Sequence, residues 1–277
     1  MSVTWSANDP PPHSPLTPAD WLRVLLRGIP LLMVIIVGVV MMAILRLIER
    51  PLYGLQRPVT PYITQAVCRA AFAVLGLRFS RQGTPMSGPG AVVCNHVSWL
   101  DIFSLNFSKR VYFVSKSEVA SWPGIGLLAR ITGTVFIARD PRQAHTQTQL
   151  FEQRLLAGHK LLFFPEGTST DGNRVLPFKT TLFQAFFSPK LHHVLSVQPV
   201  SLIYTAPKGQ DARFYGWWGD MSFGGHLLKT LGARRQGSVR VVYHPPVRVD
   251  TFENRKALAA HVEATVRAGM PEDRRGL

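Results

Sequence analysis

Residues 91–101 read Ala91-Val92-Val93-Cys94-Asn95-His96-Val97-Ser98-Trp99-Leu100-Asp101. Small apolar residues in an unbroken run read as a strand covered on both faces, and the polar residues that follow read as a loop leading into a helix. The same pattern recurs along the chain. Val111–Val114, Thr134–Ile137, Lys160–Phe164, Leu195–Ile203 and Ser238–Tyr243 are predicted strands. Leu100–Phe107, Ile125–Ile131, Gln143–Ala157, Lys179–Phe187 and Glu253–Ala268 are predicted helices. Strand, crossover and strand in succession make the fold class α/β, with a mixed, largely parallel sheet covered by helices.

Upstream the character changes. Residues 1–20 carry Asp9-Pro10-Pro11-Pro12 among Ser, Thr and further Pro, too little apolar surface to order themselves, and are expected to be a flexible tail. From Gly28 to Leu45 the run GIPLLMVIIVGVVMMAIL has no charge, near the lower limit for a helix crossing a hydrocarbon core ~30 Å thick. Trp21 and Leu22 extend it, with Arg23 and Arg27 expected to snorkel to the headgroups, giving a transmembrane helix over 21–50. The run is longer than a signal-peptide core of about 7–15 residues and lacks a small-residue cleavage site, so it is read as retained. Arg46, Arg50 and Arg57 after it slightly outnumber Arg23 and Arg27 before it, which places the remainder on the cytoplasmic side. Residues 51–80 hold another apolar helical stretch, PYITQAVCRAAFAVLGL, interrupted by Arg69 and too short to span; it reads as interfacial or packed on the core. The domain proper is 81–277.

A formal charge of +15 attracts arrays of phosphate, which nucleic acid and anionic membranes both offer. Here the basic residues flank an apolar segment rather than forming long runs, and the reading is membrane, with no nucleic acid. Cys68 and Cys94 make neither a disulfide framework nor a zinc site, and His159, His192, His193, His226, His244 and His261 have no metal-ligand spacing, so no metal is expected.

Three groups of residues stand at predicted strand ends, where α/β sheets bind ligands. In the first, His96 and Asp101 are five apart. On one continuous helix they would point about 140° apart, so His96 must lie in the preceding loop for Asp101 to reach it. Ser98 and Asp101 also fit a helix N-terminal capping signature, and the spacing alone is equally satisfied by a capping carboxylate beside an ordinary loop histidine. The second is Phe163-Phe164-Pro165-Glu166-Gly167-Thr168-Ser169: proline ends the ladder, glycine allows close backbone approach, and Glu166 and Thr168 offer an acceptor and a hydroxyl, unless this is only a turn with a surface glutamate. The third, Gly133-Thr134-Val135-Phe136-Ile137-Ala138-Arg139, delivers an arginine that either clamps an anion or is one solvated charge among many.

Taken together these blocks resemble the glycerolipid acyltransferase family typified by bacterial 1-acylglycerol-3-phosphate acyltransferases. NHVSWLD matches the family's H-x4-D block, GTVFIAR its second, FPEGTS its third and Val197-Gln198-Pro199-Val200 its fourth, in order from about Ala91 to Leu202. The resemblance implies that His96 is the base for an acceptor hydroxyl and that Asp101 fixes its imidazole. It implies that Arg139 binds the acceptor's anionic head, that Glu166 positions the hydroxyl with Gly167 and Thr168 shaping the loop, and that Pro199 lines the site. Lys116, in FVSKSEVASWPG, matches a region placed near membrane and acceptor. Direct attack on the thioester needs neither cysteine, metal nor cofactor. The implied partners are a lyso-lipid acceptor, an acyl carrier protein or coenzyme A thioester donor, and the inner membrane of a bacterium.

One position departs from the pattern. Phosphate-using members carry an arginine directly after the Glu-Gly-Thr triplet, and here Ser169 stands there. FFPEGTSTDGNRVLPFK also resembles members that acylate lyso-ornithine lipid, whose acceptor hydroxyl lies on a hydroxy-fatty amide. Both acceptors are therefore expectations. A hydrolase on the same scaffold and a non-catalytic basic membrane-binding protein are the alternatives. The cluster Phe214-Tyr215-Gly216-Trp217-Trp218 reads either as interfacial aromatics or as core packing.

Overall fold

The computed structural model describes residues 5–6, 15–88, 90–138, 142 and 144–275. The chain order is α1 (Pro18–Tyr53), α2 (Thr60–Leu75), β1 (Arg78–Gln82), β2 (Gly90–Cys94), α3 (Leu100–Ser108), β3 (Tyr112–Lys116), α4 (Ile125–Thr132), β4 (Val135–Ile137) and α5 (Ala144–Leu156). It continues through β5 (Lys160–Phe163), β6 (Ser196–Thr205), α6 (Phe223–Gly232), β7 (Ser238–Tyr243), β8 (Val247–Arg248) and α7 (Arg255–Ala268). The strands form an eight-stranded sheet in the order β1-β7-β6-β2-β5-β3-β4, with β8 on β6. Pairs β1/β7, β2/β6, β2/β5, β3/β5 and β3/β4 are parallel, whereas β6 runs antiparallel to β7 and β8. This is the mixed, largely parallel sheet that the apolar runs predict.

Both faces are covered, which is why the central strands need no polar alternation. Val92, Cys94, Leu162, Val200 and Leu202 face a layer containing Leu75, Leu100 and Leu231 of α2, α3 and α6. Ala91, Val93, Leu161, Phe163 and Val197 face Leu155 of α5, Leu258 and Val262 of α7 and the segment Thr180–Phe187. Each fully buried Leu or Val adds roughly 1.5–3 kcal/mol relative to exposure, enough for these strands to fix the layers. Thr180–Phe187, predicted as an α-helix, is a 3-10 helix, its Phe183 and Phe186 buried against Phe163.

The amino-terminal segment is longer and more tightly packed than predicted. Thr17 and Asp20 form a capping box that starts α1 inside the stretch expected to be a tail, and the helix runs through Pro51 to Tyr53. Trp5 is docked as well: its N–H donates to Thr168 Oγ1 at 3.4 Å, and Gly219 N–H donates to its carbonyl at 3.1 Å. Val24, Leu31, Gly38, Met42 and Glu49 form a buried stripe with seven- and four-residue spacing, while Leu22, Leu26, Ile29, Met33, Ile36 and Val40 are exposed. A Cβ at Gly38 would lie 2.3 Å from Val67 Cγ2, so the close approach of α1 to α2 requires glycine there. Arg23 and Arg27 do not snorkel. They donate to the carbonyls of Gly232, Leu231 and Ala233, the free acceptors at the end of α6. Glu49 accepts from Val59 N–H, Thr60 N–H and Thr60 Oγ1 at 2.6, 2.9 and 2.8 Å, satisfying the first turn of α2. Thus α2 is a packed helix, held by α1 on one side and α3 on the other.

Candidate active site

Parallel strands β2, β5 and β3 end side by side at Cys94, Phe163 and Lys116, and His96, Asp101, Glu166, Gly167 and Thr168 lie just beyond the first two. Asn95 makes this exit possible. Its side-chain amide donates to Leu202 O at 3.0 Å and its oxygen accepts from Leu202 N at 2.8 Å, continuing the β2/β6 ladder after the backbone has left it. The buried backbone groups of β6 stay paired, and His96 is free to turn outward.

His96 Nδ1 lies 2.7 Å from Asp101 Oδ2. The same oxygen accepts from Val97 N–H at 2.7 Å and Ser98 N–H at 3.1 Å, while Tyr204 OH donates to Oδ1 at 3.0 Å. Asp101 therefore closes the turn that precedes α3 and orients the imidazole; it does not cap α3 itself, whose N-cap, Trp99, has no side-chain capping bond. A fully buried carboxylate is tolerable because each oxygen has donors. Since the carboxylate accepts, the shared proton sits on Nδ1 and Nε2 keeps the lone pair. The imidazole side chain is 22% exposed and stacks on Phe164, ring centroids 4.0 Å apart and 11° from parallel.

The loop after β5 grips the backbone of His96 from both sides. Its N–H donates to Glu166 Oε1 at 2.7 Å, and its carbonyl accepts from Thr170 N–H at 3.0 Å. The other Glu166 oxygen accepts from Leu176 N–H at 2.9 Å. Glu166 is 2% exposed with both oxygens committed to backbone, so it braces the histidine loop rather than presenting a free acceptor to a hydroxyl. Burial, with a smaller push from Asp101, raises its carboxyl to about 8 against the pull of the two N–H donors and of Arg267. Burial, with Asp101 adding to it, also holds the Cys94 thiol and the Tyr204 phenol well above their ordinary values. Cys94 is thus a buried neutral thiol, and Tyr204 remains a donor to Asp101.

Gly167 and Thr168 follow Glu166 in this loop. Gly167 has φ 73°, and a Cβ on it would lie 2.5 Å from Lys179 Nζ. Lys179 therefore crosses the loop, an exposed cation beside the glycine. Thr168 Oγ1 donates to Ser169 O at 3.2 Å, and Ser169 Oγ donates to Trp217 O. Arg174 is occupied by Asp171, at 3.2 Å. Lys116 is half-buried at the carboxyl end of β3, in register with Ile137. Arg139 lies outside the described residues. Pro199 is buried within β6 opposite Val93, inside the sheet rather than at its mouth. It falls between the residues of β6 that pair with β8 and those that pair with β7, where a missing N–H leaves no ladder bond unmade. Among the described residues no three His, Cys, Asp or Glu side chains converge as a metal would require.

Asn95, Tyr204, Thr170 and Lys179 belong to the site but were not singled out from sequence. A signal existed for Asn95, adjacent to His96, and for Lys179, at the end of the Phe163–Lys179 stretch. Tyr204 is 103 residues from Asp101 and carries no local signature. Of the aromatic cluster, Phe214, Tyr215 and Trp218 are core, and half-buried Trp217 donates its backbone N–H to Val97 O.

A buried carboxylate, an imidazole with a free lone pair and a thiol kept neutral together define a site for general-base chemistry on a protonated nucleophile. The chain belongs to the acyltransferase family, whose model, described as Acyltransferase, matches residues 76–203, a span that includes His96, Asp101 and Glu166. It is an acyltransferase. It is 58% identical to a lyso-ornithine lipid O-acyltransferase of Rhodobacter capsulatus over 96% of each chain. It is 39% identical to a protein of the same name from Brucella abortus, over 72% of this chain and 78% of that one. It is 29% identical to a 1-acyl-sn-glycerol-3-phosphate acyltransferase of Neisseria meningitidis, over 72% of this chain and 76% of that one. The crystal structure of a 1-acyl-sn-glycerophosphate acyltransferase from Thermotoga maritima has the same fold, with TM-score 0.63 at 23% identity, covering 90% of this chain and 95% of that one.

Proposed function

We propose that the protein transfers a fatty acyl group from a thioester donor, acyl carrier protein or coenzyme A, to the hydroxyl of lyso-ornithine lipid. The observation that carries this reading is the His96–Asp101 pair, 2.7 Å apart at the mouth of the sheet, in a chain so similar along its length to the R. capsulatus enzyme. His96 Nε2 takes the proton as the acceptor oxygen attacks the thioester carbonyl. The tetrahedral intermediate then collapses, the C–S bond breaks, and the departing thiolate takes the proton from the imidazolium. Asp101 fixes the tautomer and offsets the transient charge on the ring.

Glu166, Gly167 and Thr168 set the shape of the loop beside the imidazole. Lys116, Arg139 and Lys179 supply cations for the acceptor's head. Pro199 acts from within the sheet, by setting the place of β6. The absence of an arginine at Ser169 favours a head bearing a carboxylate over one bearing a phosphate, since a phosphomonoester gains more from a further bidentate clamp. The apolar helix α1 anchors the protein in the bacterial inner membrane with the cleft on the cytoplasmic side, where the lyso-lipid enters from the bilayer and the soluble donor from water. Membrane lipid synthesis is the corresponding role.

The test is lipid analysis after expression in two hosts, one accumulating lyso-ornithine lipid and one lacking lysophosphatidate acylation. Ornithine lipid forming in the first, abolished by His96→Ala, is the expected result. Rescue of the second host alone would move the acceptor to 1-acylglycerol-3-phosphate. Thioester consumption by purified protein at equal rates with and without lyso-lipid would make it a hydrolase.

A further inference from the structure

The parallel strands have a second set of ends. At the amino ends of β3 and β5, opposite the catalytic histidine, the turn between α1 and α2 closes over a cavity of about 310 Å³. Arg57, Lys109, Arg110, Lys160 and His159 line it, and none of its lining residues is acidic. Arg154 stands behind: its guanidinium donates to His159 Nδ1 at 2.6 Å and Gly133 O at 2.7 Å and lies 4.9 Å over the Tyr112 ring. Arg57 donates to Ile131 O at 2.7 Å, Lys160 to Ser87 O at 2.9 Å, and Arg110 lies 3.9 Å over the Tyr62 ring. These cations are held by carbonyls, an imidazole and aromatic faces. Glu49, whose charge reaches Arg57, is engaged by the start of α2 and by Arg46.

Like charges gathered around a partly enclosed space repel. The cost is visible in the groups themselves. Burial and the charge of Arg57 bring Arg154 down to about 10, and burial with Lys109 and Arg110 holds Lys160 below its usual range. A bound anion removes that repulsion, and an arrangement of guanidinium and ammonium donors fits phosphate oxygens. The rim indicates where the anion comes from. Tyr62 of α2 lines the cavity and is exposed, and Leu52 and Tyr53 in the last turn of α1 and Leu55 and Val59 in the turn that follows are exposed as well. A free phosphate has no use for that surface, whereas the glycerol and upper acyl carbons of a lipid do.

We propose that this cavity binds the phosphate of an anionic phospholipid, as a resident lipid separate from both acceptor and donor. The packed layers of the sheet lie between it and His96, so the occupant takes no part in the transfer. Its role is to fix the α1–α2 turn at the membrane surface.

The experiment uses the full chain purified in detergent, with native mass spectrometry to count retained lipid and thermal unfolding to measure protection. Phosphatidylglycerol and phosphatidylcholine are compared as lipids, and inorganic phosphate and coenzyme A as soluble phosphates. Phosphatidylglycerol is expected to be retained and to raise the melting temperature, and phosphatidylcholine is not. The double variant Lys109→Gln, Lys160→Gln is expected to bind phosphatidylglycerol about thirtyfold more weakly. His96→Ala should bind it as the unaltered chain does, which separates this site from the catalytic one. Undiminished retention by the double variant, equal retention of phosphatidylcholine, or displacement of the lipid by inorganic phosphate or coenzyme A at comparable concentration would each overturn the proposal. If the double variant folds poorly, Lys109→Arg, Lys160→Arg, which keeps the charge, should restore both retention and melting temperature; failure to do so would also count against it.

Discussion

The two ends of the same parallel strands are built by opposite rules. At the carboxyl ends both buried carboxyl groups have been given partners: Asp101 has four donors, and Glu166 has a backbone N–H on each oxygen. At the amino ends Arg57, Lys109, Arg110 and Lys160 face one cavity without a carboxylate among its lining residues. A fully partnered cluster has its geometry set before any ligand arrives, as a base that must act in the transition state requires. A cluster of like charges is completed only by what binds it. On the readings proposed above, the contrast separates a site that performs chemistry from one that waits for a counter-charge.

The largest effect should come from the one group left able to react. His96→Ala should lower turnover by roughly 10²–10⁴-fold in an acyl-transfer assay with thioester donor and lyso-lipid, with little change in melting temperature. Asp101→Asn should lower turnover by roughly 10²-fold or more, because an amide turned toward Nδ1 favours the wrong tautomer, and unlike His96→Ala it should also destabilise the fold, since its NH2 meets donors. Equal stability of these two variants would break the claim that the carboxylate is structurally saturated. Glu166 offers a pH test. Its folded carboxyl keeps its proton up to about 8 while the unfolded one releases it near 4.5, so between these values the folded state binds more protons and its stability falls as pH rises. Melting curves from pH 4.5 to 8 should therefore fall more steeply for the unaltered chain than for Glu166→Gln. Tyr204→Phe removes a single donor to Asp101 and should cost about 1 kcal/mol of stability and several-fold in turnover. At the other end, Lys160→Gln should raise stability by about 0.5 kcal/mol in lipid-free detergent and lose that advantage when phosphatidylglycerol is added. An unchanged difference would mean that the cavity's charges are solvated independently.

The His96 end of the sheet was legible because its residues lie next to strands that announce themselves. Continuous apolar runs located β2 and β5, and His96 and Glu166 follow within a few positions. What escaped was of two physical kinds. The edge strand β1, Arg-Phe-Ser-Arg-Gln, is nearly all exposed and is held by pairing with β7 and by the single apolar side chain Phe79 stacked on Phe107, so it lacks the hydrophobic pattern that marks a buried strand. The α6 sequence opens Phe-Gly-Gly, which reads as a breaker, yet Ser222 caps it and the carbonyls at its far end find arginines on α1. Likewise Arg23 and Arg27 looked like headgroup anchors because nothing local revealed acceptors some two hundred residues away. The bracing contacts of Glu166 are hidden for a similar reason. A polar residue after a strand suggests a ligand contact, while the backbone N–H groups that occupy it come from His96, in the neighbouring loop, and from Leu176, ten residues further on.

The clasp between α1 and the end of α6 has a mechanical consequence. Because arginines on one turn of the long helix grip the terminal carbonyls of another, and Gly38 seats the same helix against α2, the stem and the body move as one piece. With α1 anchored as proposed, the depth of the helix sets the depth of the site, so thickening or thinning the bilayer should act as a dial on acceptor capture while leaving the chemical step untouched.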